Sequence, residues 1–212
     1  MSTRLPLTRQ PATLCPFGPA ITRSRDAKGT LVARASLLHG RHFGMGIPRV
    51  SRPYMPGYGV AGPEHGSGLL HWSWAAERLT AARNYWVVST WPDGRPHTMP
   101  VWGMWDDSTL WFTSAAQSRK VKNLRADPRC CITTEDASDP VIIEGTARFA
   151  TDPAVLRRVV DLMNAKYHSG VDLDFLDPAR NATIGVRPQR VFSMLHSDFT
   201  GSPTRWVFDD DV

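Results

Sequence analysis

Arg119, Lys120 and Lys122 follow Ser118 at what reads as the opening of a short helix. A helix amino terminus carries partial positive charge and favours acids, so three cations there are locally unfavourable. They become favourable when an anion sits at that terminus, held by free backbone N–H groups and the cationic side chains together. A solvated basic face is the plain alternative. The stretch before it favours the anion reading, because residues 84–114 read as three successive strands that could hold the rest of a phosphate-bearing planar cofactor.

A flat ring of the flavin type needs a slot edged by backbone donors and acceptors, plus a cationic pocket for the phosphate of its ribityl chain. Thr98, Met99, Pro100, Val101 and Trp102 on one strand, with Thr113 and Ser114 on the next, supply such an edge. Pro100 has no N–H for a ladder, so it implies a strand edge or bulge beside the slot. Arg119 and Lys120 follow Ser114 closely enough to grip a phosphate beyond the strand end, and Asn123 lies one helical turn further on. Hydride transfer needs no protein nucleophile, and no catalytic side chain is assigned.

Other chemistries find little support. Cys15, Cys130 and Cys131 have no metal spacing, and each reads as a free thiol; the adjacent pair should point to opposite faces of a strand. No metal site is expected. The seven histidines show no His-x-x-x-His pair, and no Gly-x-Ser-x-Gly elbow occurs. His97 and His168 read as surface residues. Trp86, Trp102, Trp105 and Trp111 read as core or subunit-interface residues, with Trp102 the one placed to line a cofactor or substrate cavity.

The elements that must position these residues follow from pattern. Ser73 caps a helix over 74–83. Strands are expected over 85–90, 97–105, 109–114, 130–134 and 141–150, with a hairpin signal at Pro92-Asp-Gly-Arg. Asp152 or Thr151 caps a helix whose apolar positions Val155, Leu156, Val159, Val160 and Met163 recur at helical spacing. Strands near 182–186, 190–195 and 205–208 complete a mainly β domain with a few helices, which points to a small barrel. No apolar run is long enough for a membrane span, and the reading is a soluble, cytoplasmic protein without a membrane partner.

The net charge of +5 is a property of the first residues. Residues 1–44 hold seven cations and one acid; the remaining chain holds 18 cations and 19 acids. The folded part therefore gives no electrostatic case for nucleic acid. Residues 1–44, with four scattered prolines and no periodicity, read as a disordered extension or a start-site artefact preceding Met45. Residues 45–72 read as an extended arm and 73–208 as the barrel domain.

With this order of elements, Gly94-Arg-Pro-His-Thr-Met-Pro-Val-Trp, Leu110-Trp-Phe-Thr, Ser118-Arg-Lys-Val-Lys-Asn-Leu and Asp127-Pro-Arg resemble the pyridoxamine 5′-phosphate oxidase-like superfamily, the flavin-binding split β-barrels. The resemblance covers about residues 73–208. It implies that Arg119 and Lys120 bind the cofactor phosphate, and that Thr98 through Trp102 contact the ring and ribityl chain. It also implies a homodimer with cofactor sites at the subunit interface and a small-molecule substrate. The family's C-terminal Arg-x-His substrate signature is replaced by Ser202-Pro-Thr-Arg-Trp206, so pyridoxamine phosphate does not carry over as substrate. Met45-Gly-Ile-Pro-Arg and Trp72-Ser-Trp-Ala are similar to actinobacterial deazaflavin-dependent members, which use coenzyme F420 in place of FMN. The resemblance thus implies an F420- or FMN-dependent oxidoreductase, with an FMN- or haem-binding storage protein as the alternative.

Overall fold

The computed structural model describes residues 22–25, 31–34, 46–65 and 68–209. Residues 1–42 and 43–212 form two separate units. In the first, β1 (Thr22–Arg25) pairs antiparallel with β2 (Leu31–Arg34). The rest of the expectation for residues 1–44 lies outside the described residues.

The second unit is a closed barrel of six antiparallel strands. They are β4 (Asn84–Thr90), β5 (Pro96–Asp106), β6 (Thr109–Ala115), β7 (Arg129–Thr134), β8 (Val141–Ala150) and β9 (Asn181–Ser193). The order β9-β6-β5-β4-β7-β8 closes through β8–β9 pairing. Alternation sends Tyr85, Val87, Val101, Phe112, Ile132, Ile143, Ile184 and Val191 into one core. The expected mainly β split barrel is therefore present.

Three helices plug or cover this barrel. α1 (Trp72–Ala81) buries Ala75 and Leu79 in the core. It starts two residues earlier than the sequence pattern suggests, because the His71 ring, rather than Ser73, caps it by accepting from the Ser73 N–H at 3.2 Å. α2 (Arg119–Ala126) is capped by Ser118, whose hydroxyl accepts from the Val121 N–H. α3 (Pro153–Tyr167) is capped by Asp152, which accepts from the Ala154 and Val155 N–H groups. Its apolar stripe packs on the outside of β5 and β6 against Met104 and Trp111.

One expectation fails. Residues 182–186 and 190–195 were expected as two strands, with Pro188 between them; they are one strand, β9. One edge of β9 pairs with β6 through Val186 and then with β10 (Thr204–Val207) from Arg190, so Pro188 falls where the neighbour changes. The opposite edge carries a bulge at Glu144/Gly145, facing Pro188. Side chains cannot enter there, since a Cβ on Gly145 would strike the Arg187 carbonyl.

The expected arm is docked. β3 (Arg49–Ser51) pairs with β10. Arg52 is buried and donates to the carbonyls of His65, Gly201 and Pro203.

Candidate functional site

The β5–β6 ladder runs from Asp106↔Thr109 to Gly103↔Phe112 and stops. Beyond it, β5 continues through residues 96–102 paired only with β4, while β6 continues through Thr113–Ala115 paired only with β9. The two strands thus expose facing edges at one end of the barrel. Pro100 sits in this half-paired stretch, opposite Trp86, where its missing N–H removes no bond to β6.

α2 lies across that opening. Lys120 and Asn123 are three residues apart, so they share its inward face. Lys120 is 8% exposed and its Nζ lies 3.4 Å from the Ser114 hydroxyl, which also meets the Ser118 hydroxyl at 3.0 Å. No carboxylate lies within 4 Å of it among the described residues. Burial pushes its ammonium below the ordinary lysine range. Asn123 is fully buried; its Nδ2 donates to the Ser89 hydroxyl at 3.2 Å, and its Oδ1 has no partner. Arg119 is exposed and its guanidinium stands 3.9 Å from the centroid of Trp91, pinning the β4–β5 hairpin to the start of α2. Lys122 points to solvent. Helix geometry leaves the Arg119 and Lys120 N–H groups without intrahelical carbonyls.

The structure therefore brings Ser114 and Lys120 together, with Asn123 one turn further along the same face of α2 against Ser89 and Arg119 against Trp91. It divides the remaining candidates between faces. Strand alternation puts Met99 and Val101 on the barrel's inner side with His97, and Thr98, Pro100 and Trp102 on its outer side. Thr113 and Ser114 likewise face opposite ways, so Thr113 can serve the slot only through its backbone. Met99 faces inward yet is 46% exposed, because the strands have parted there.

Of the four tryptophans assigned to core or interface, Trp105 is core and Trp111 packs under α3. Trp86 and Trp102 remain 43% and 53% exposed on one outer face, and Trp102 stacks flat on Tyr167 with centroids 4.7 Å apart. His97 is not the surface residue its sequence context suggests. It is half-buried, its ring meets Trp91 edge-on, and its Nδ1 is buried without a partner. The available signal was its parity: it lies opposite Ser89, on the inward side of the hairpin.

The other cationic places differ. A groove of about 690 Å³ on the outer face is lined by Arg49, Ser51, Glu144, Arg190, Arg205 and Val207. There Arg49 pairs with Asp209 at 3.2 Å and Arg190 lies 3.9 Å from Glu144. Arg49 and Arg190 thus have acidic neighbours there, whereas Arg205 donates to the Ser51 hydroxyl at 3.2 Å.

The family model for pyridoxamine 5′-phosphate oxidase matches residues 75–194, more than half of the chain. The chain belongs to the pyridoxamine 5′-phosphate oxidase family. Among solved structures it is similar to a conserved hypothetical protein of Mycobacterium tuberculosis, with 25% identity and a TM-score of 0.54 over 60% of this chain and 86% of that one. An F420 reductase matches at 23% identity and TM-score 0.45, covering 53% of this chain and 90% of its own. A haem storage protein of Vibrio cholerae matches at 14% and 0.46, covering 53% and 85%. No protein of curated function matches the sequence. No described helix is long and apolar enough to cross a membrane.

Proposed function

We propose that this family member is an oxidoreductase that binds a deazaflavin, coenzyme F420, or alternatively FMN, at a homodimer interface and passes hydride to a small organic substrate. The observation that carries the reading is Lys120: a buried ammonium with one long hydroxyl contact and no carboxylate, at the mouth of a helix whose first N–H groups are free. A buried cation left this way is costly unless an anion completes it. A phosphate fits the donor set of Lys120, Ser114, Ser118 and Arg119, and the family resemblance names the chain that bears it.

Each residue then has a task. Lys120 and the α2 amino terminus fix the phosphate; Arg119, held on Trp91, closes over it. The parted edges of β5 and β6 offer backbone groups for the chain and ring. Trp102 and Trp86 give an apolar outer face that a second copy would cover, bringing the open edge to a subunit interface. When bound, the cofactor supplies the hydride chemistry, and the residues bind it, orient it and limit water.

Spectral titration of the full-length protein with FMN and with coenzyme F420, in one buffer, tests this. Saturable binding of either, at about one per protomer, with a dimer mass by light scattering, is the expected result. If neither cofactor binds, the proposal fails; a monomer with cofactor bound refutes the interface site.

A further inference from the structure

A second set of cations meets on the outer wall of the barrel, away from α2. Strand pairing places Val207 of β10 directly between Arg49 of β3 and Arg190 of β9, and Arg205 stands two residues along β10 on the same face. Arg49 and Arg190 are thus rooted two strand spacings apart, about 10 Å, with Arg205 completing a triangle around Val207. All three line the groove of about 690 Å³, with Ser51 and Glu144. A smaller hollow of about 270 Å³ shares Glu144, Arg190 and Val207 with it and extends it to Gln189 and Phe208. Ala182 faces Ser114 at the α2 end, and Arg190 lies eight residues further along β9, about 26 Å of strand. One phosphate cannot serve both places in a single copy.

The counter-charges in this groove are loosely held. Arg49 meets Asp209 through one bond of 3.2 Å between exposed side chains, and Arg190 stands 3.9 Å from Glu144, beyond hydrogen-bond distance. Exposed pairs of this kind contribute little and are readily exchanged. Arg205 has less still. Its Nη2 donates to the Ser51 hydroxyl at 3.2 Å, its Nε is buried without a partner, and no carboxylate lies within 4 Å of it among the described residues. Three cations therefore face two acids in a concave place of ligand size. Guanidinium forks match oxyanions bidentately and do not lose their charge. We propose that this groove is a second anion site, which takes a diphosphate or a comparable oxyanion of two or more charges. Arg205 anchors the ligand, and Arg49 and Arg190 close on it from either side by exchanging Asp209 and Glu144 for it. The Ser51 hydroxyl, which accepts from Arg205, keeps its own proton to donate to the ligand. The site stands independently of the phosphate reading of Lys120.

The test titrates inorganic pyrophosphate into the full chain and follows valine methyl groups by NMR: Val207 reports the groove and Val121 reports α2. Val207 should shift saturably, with an affinity roughly tenfold or more above that for acetate, a singly charged comparison. The Arg119→Ala/Lys120→Ala variant should keep this response within about twofold. Arg205→Gln should weaken it roughly tenfold or more, as expected for loss of a charge-assisted fork. Arg157→Gln, which removes an exposed cation on α3, should leave it within about twofold. Asp209→Asn should tighten binding about two- to threefold by freeing Arg49. If Arg205→Gln does not fold, the exposed change Arg49→Gln decides in its place, with an expected loss of about threefold or more. Pyrophosphate that moves Val121 and leaves Val207 still assigns the anion to α2 and overturns the groove as a site. Equal losses in Arg157→Gln and in the deciding arginine variant overturn it too, because the attraction is then diffuse charge.

Discussion

Two lysines in this barrel have lost much of their solvent, and they have opposite surroundings. Lys166, near the carboxyl end of α3, donates to the Gly103 carbonyl at 2.8 Å and to the Tyr85 hydroxyl at 3.1 Å, between the faces of Tyr85 and Tyr167. The Tyr85 hydroxyl donates a hydrogen bond to the Leu79 carbonyl, and the Tyr167 hydroxyl accepts from the Gly103 N–H at 2.8 Å. That end of the molecule is a completed network tying α3 to β5 and α1. Lys120, at the other end of β5, has one hydroxyl at 3.4 Å. Burial lowers both ammonium pKa values, so burial alone cannot tell structure from site. The tally of hydrogen bonds can: Lys166 is satisfied within the fold, and Lys120 is not, which is what the proposed phosphate site requires.

The sharpest way to break this contrast is to remove the open site. Replacing Arg119 and Lys120 together by Ala should weaken FMN or F420 binding on the order of a hundredfold, from about 1.5–3 kcal/mol per charge-assisted bond and about 1.4 kcal/mol per decade. The unliganded variant should melt close to the parent temperature, because shedding a poorly placed pair of cations at a helix amino terminus offsets the lost Arg119–Trp91 contact. Undiminished affinity would place the phosphate elsewhere.

A smaller effect should run the other way. Lys166→Met removes the charged donor from the Gly103 carbonyl and the Tyr85 hydroxyl, with an expected loss of about 1–2 kcal/mol. For a domain of this size that lowers the melting temperature by about 2–4 °C per kcal/mol. Cofactor affinity should stay within about twofold. Lys120→Met should show the reverse pairing, with affinity lost and stability retained. If both lysines behave alike, their distinction by hydrogen bonding is wrong.

Much of this contrast could be read from sequence on one side only. The β4–β5 hairpin and the Arg119–Lys120 step at the opening of a short helix are local patterns: a Gly in a turn, here Gly94 at φ 87°, and alternation along strands. Sequence order and a known resemblance were enough to place them. The long-range facts were not accessible that way. Pro188 reads as a strand break unless one knows that β9 changes neighbours there. His97 reads as a surface residue until its pairing with Ser89 turns it inward. The Lys166 network joins residues up to 81 positions apart, and nothing local marks that lysine. Lys120 and Lys122 look equivalent in a run of cations; only the packing of α2 decides which is buried.

The finest discriminator between the two lysines is pH. Desolvation, with a smaller opposing contribution from Glu135, brings Lys166 to about 8 in the folded protein. In the unfolded chain it titrates at about 10.4. Between those values the unfolded chain binds the proton and the folded protein has largely released it, so the Lys166 contribution to stability rises with pH and levels off above the unfolded value. The difference in unfolding free energy between Lys166→Met and the parent isolates this from other groups. The disadvantage of the variant should grow as pH goes from about 8 to about 10, measured by denaturant midpoints. Lys120 is lowered in the same direction by its burial, but there the proposed phosphate requires the charge. A bound phosphate draws the proton back, so cofactor affinity should fall as pH rises through the depressed pKa of the free lysine. The Arg119/Lys120 double variant, lacking that group, should show a flatter profile over the same range. A parent affinity that holds constant up to pH 10 would mean that Lys120 does not contact the anion.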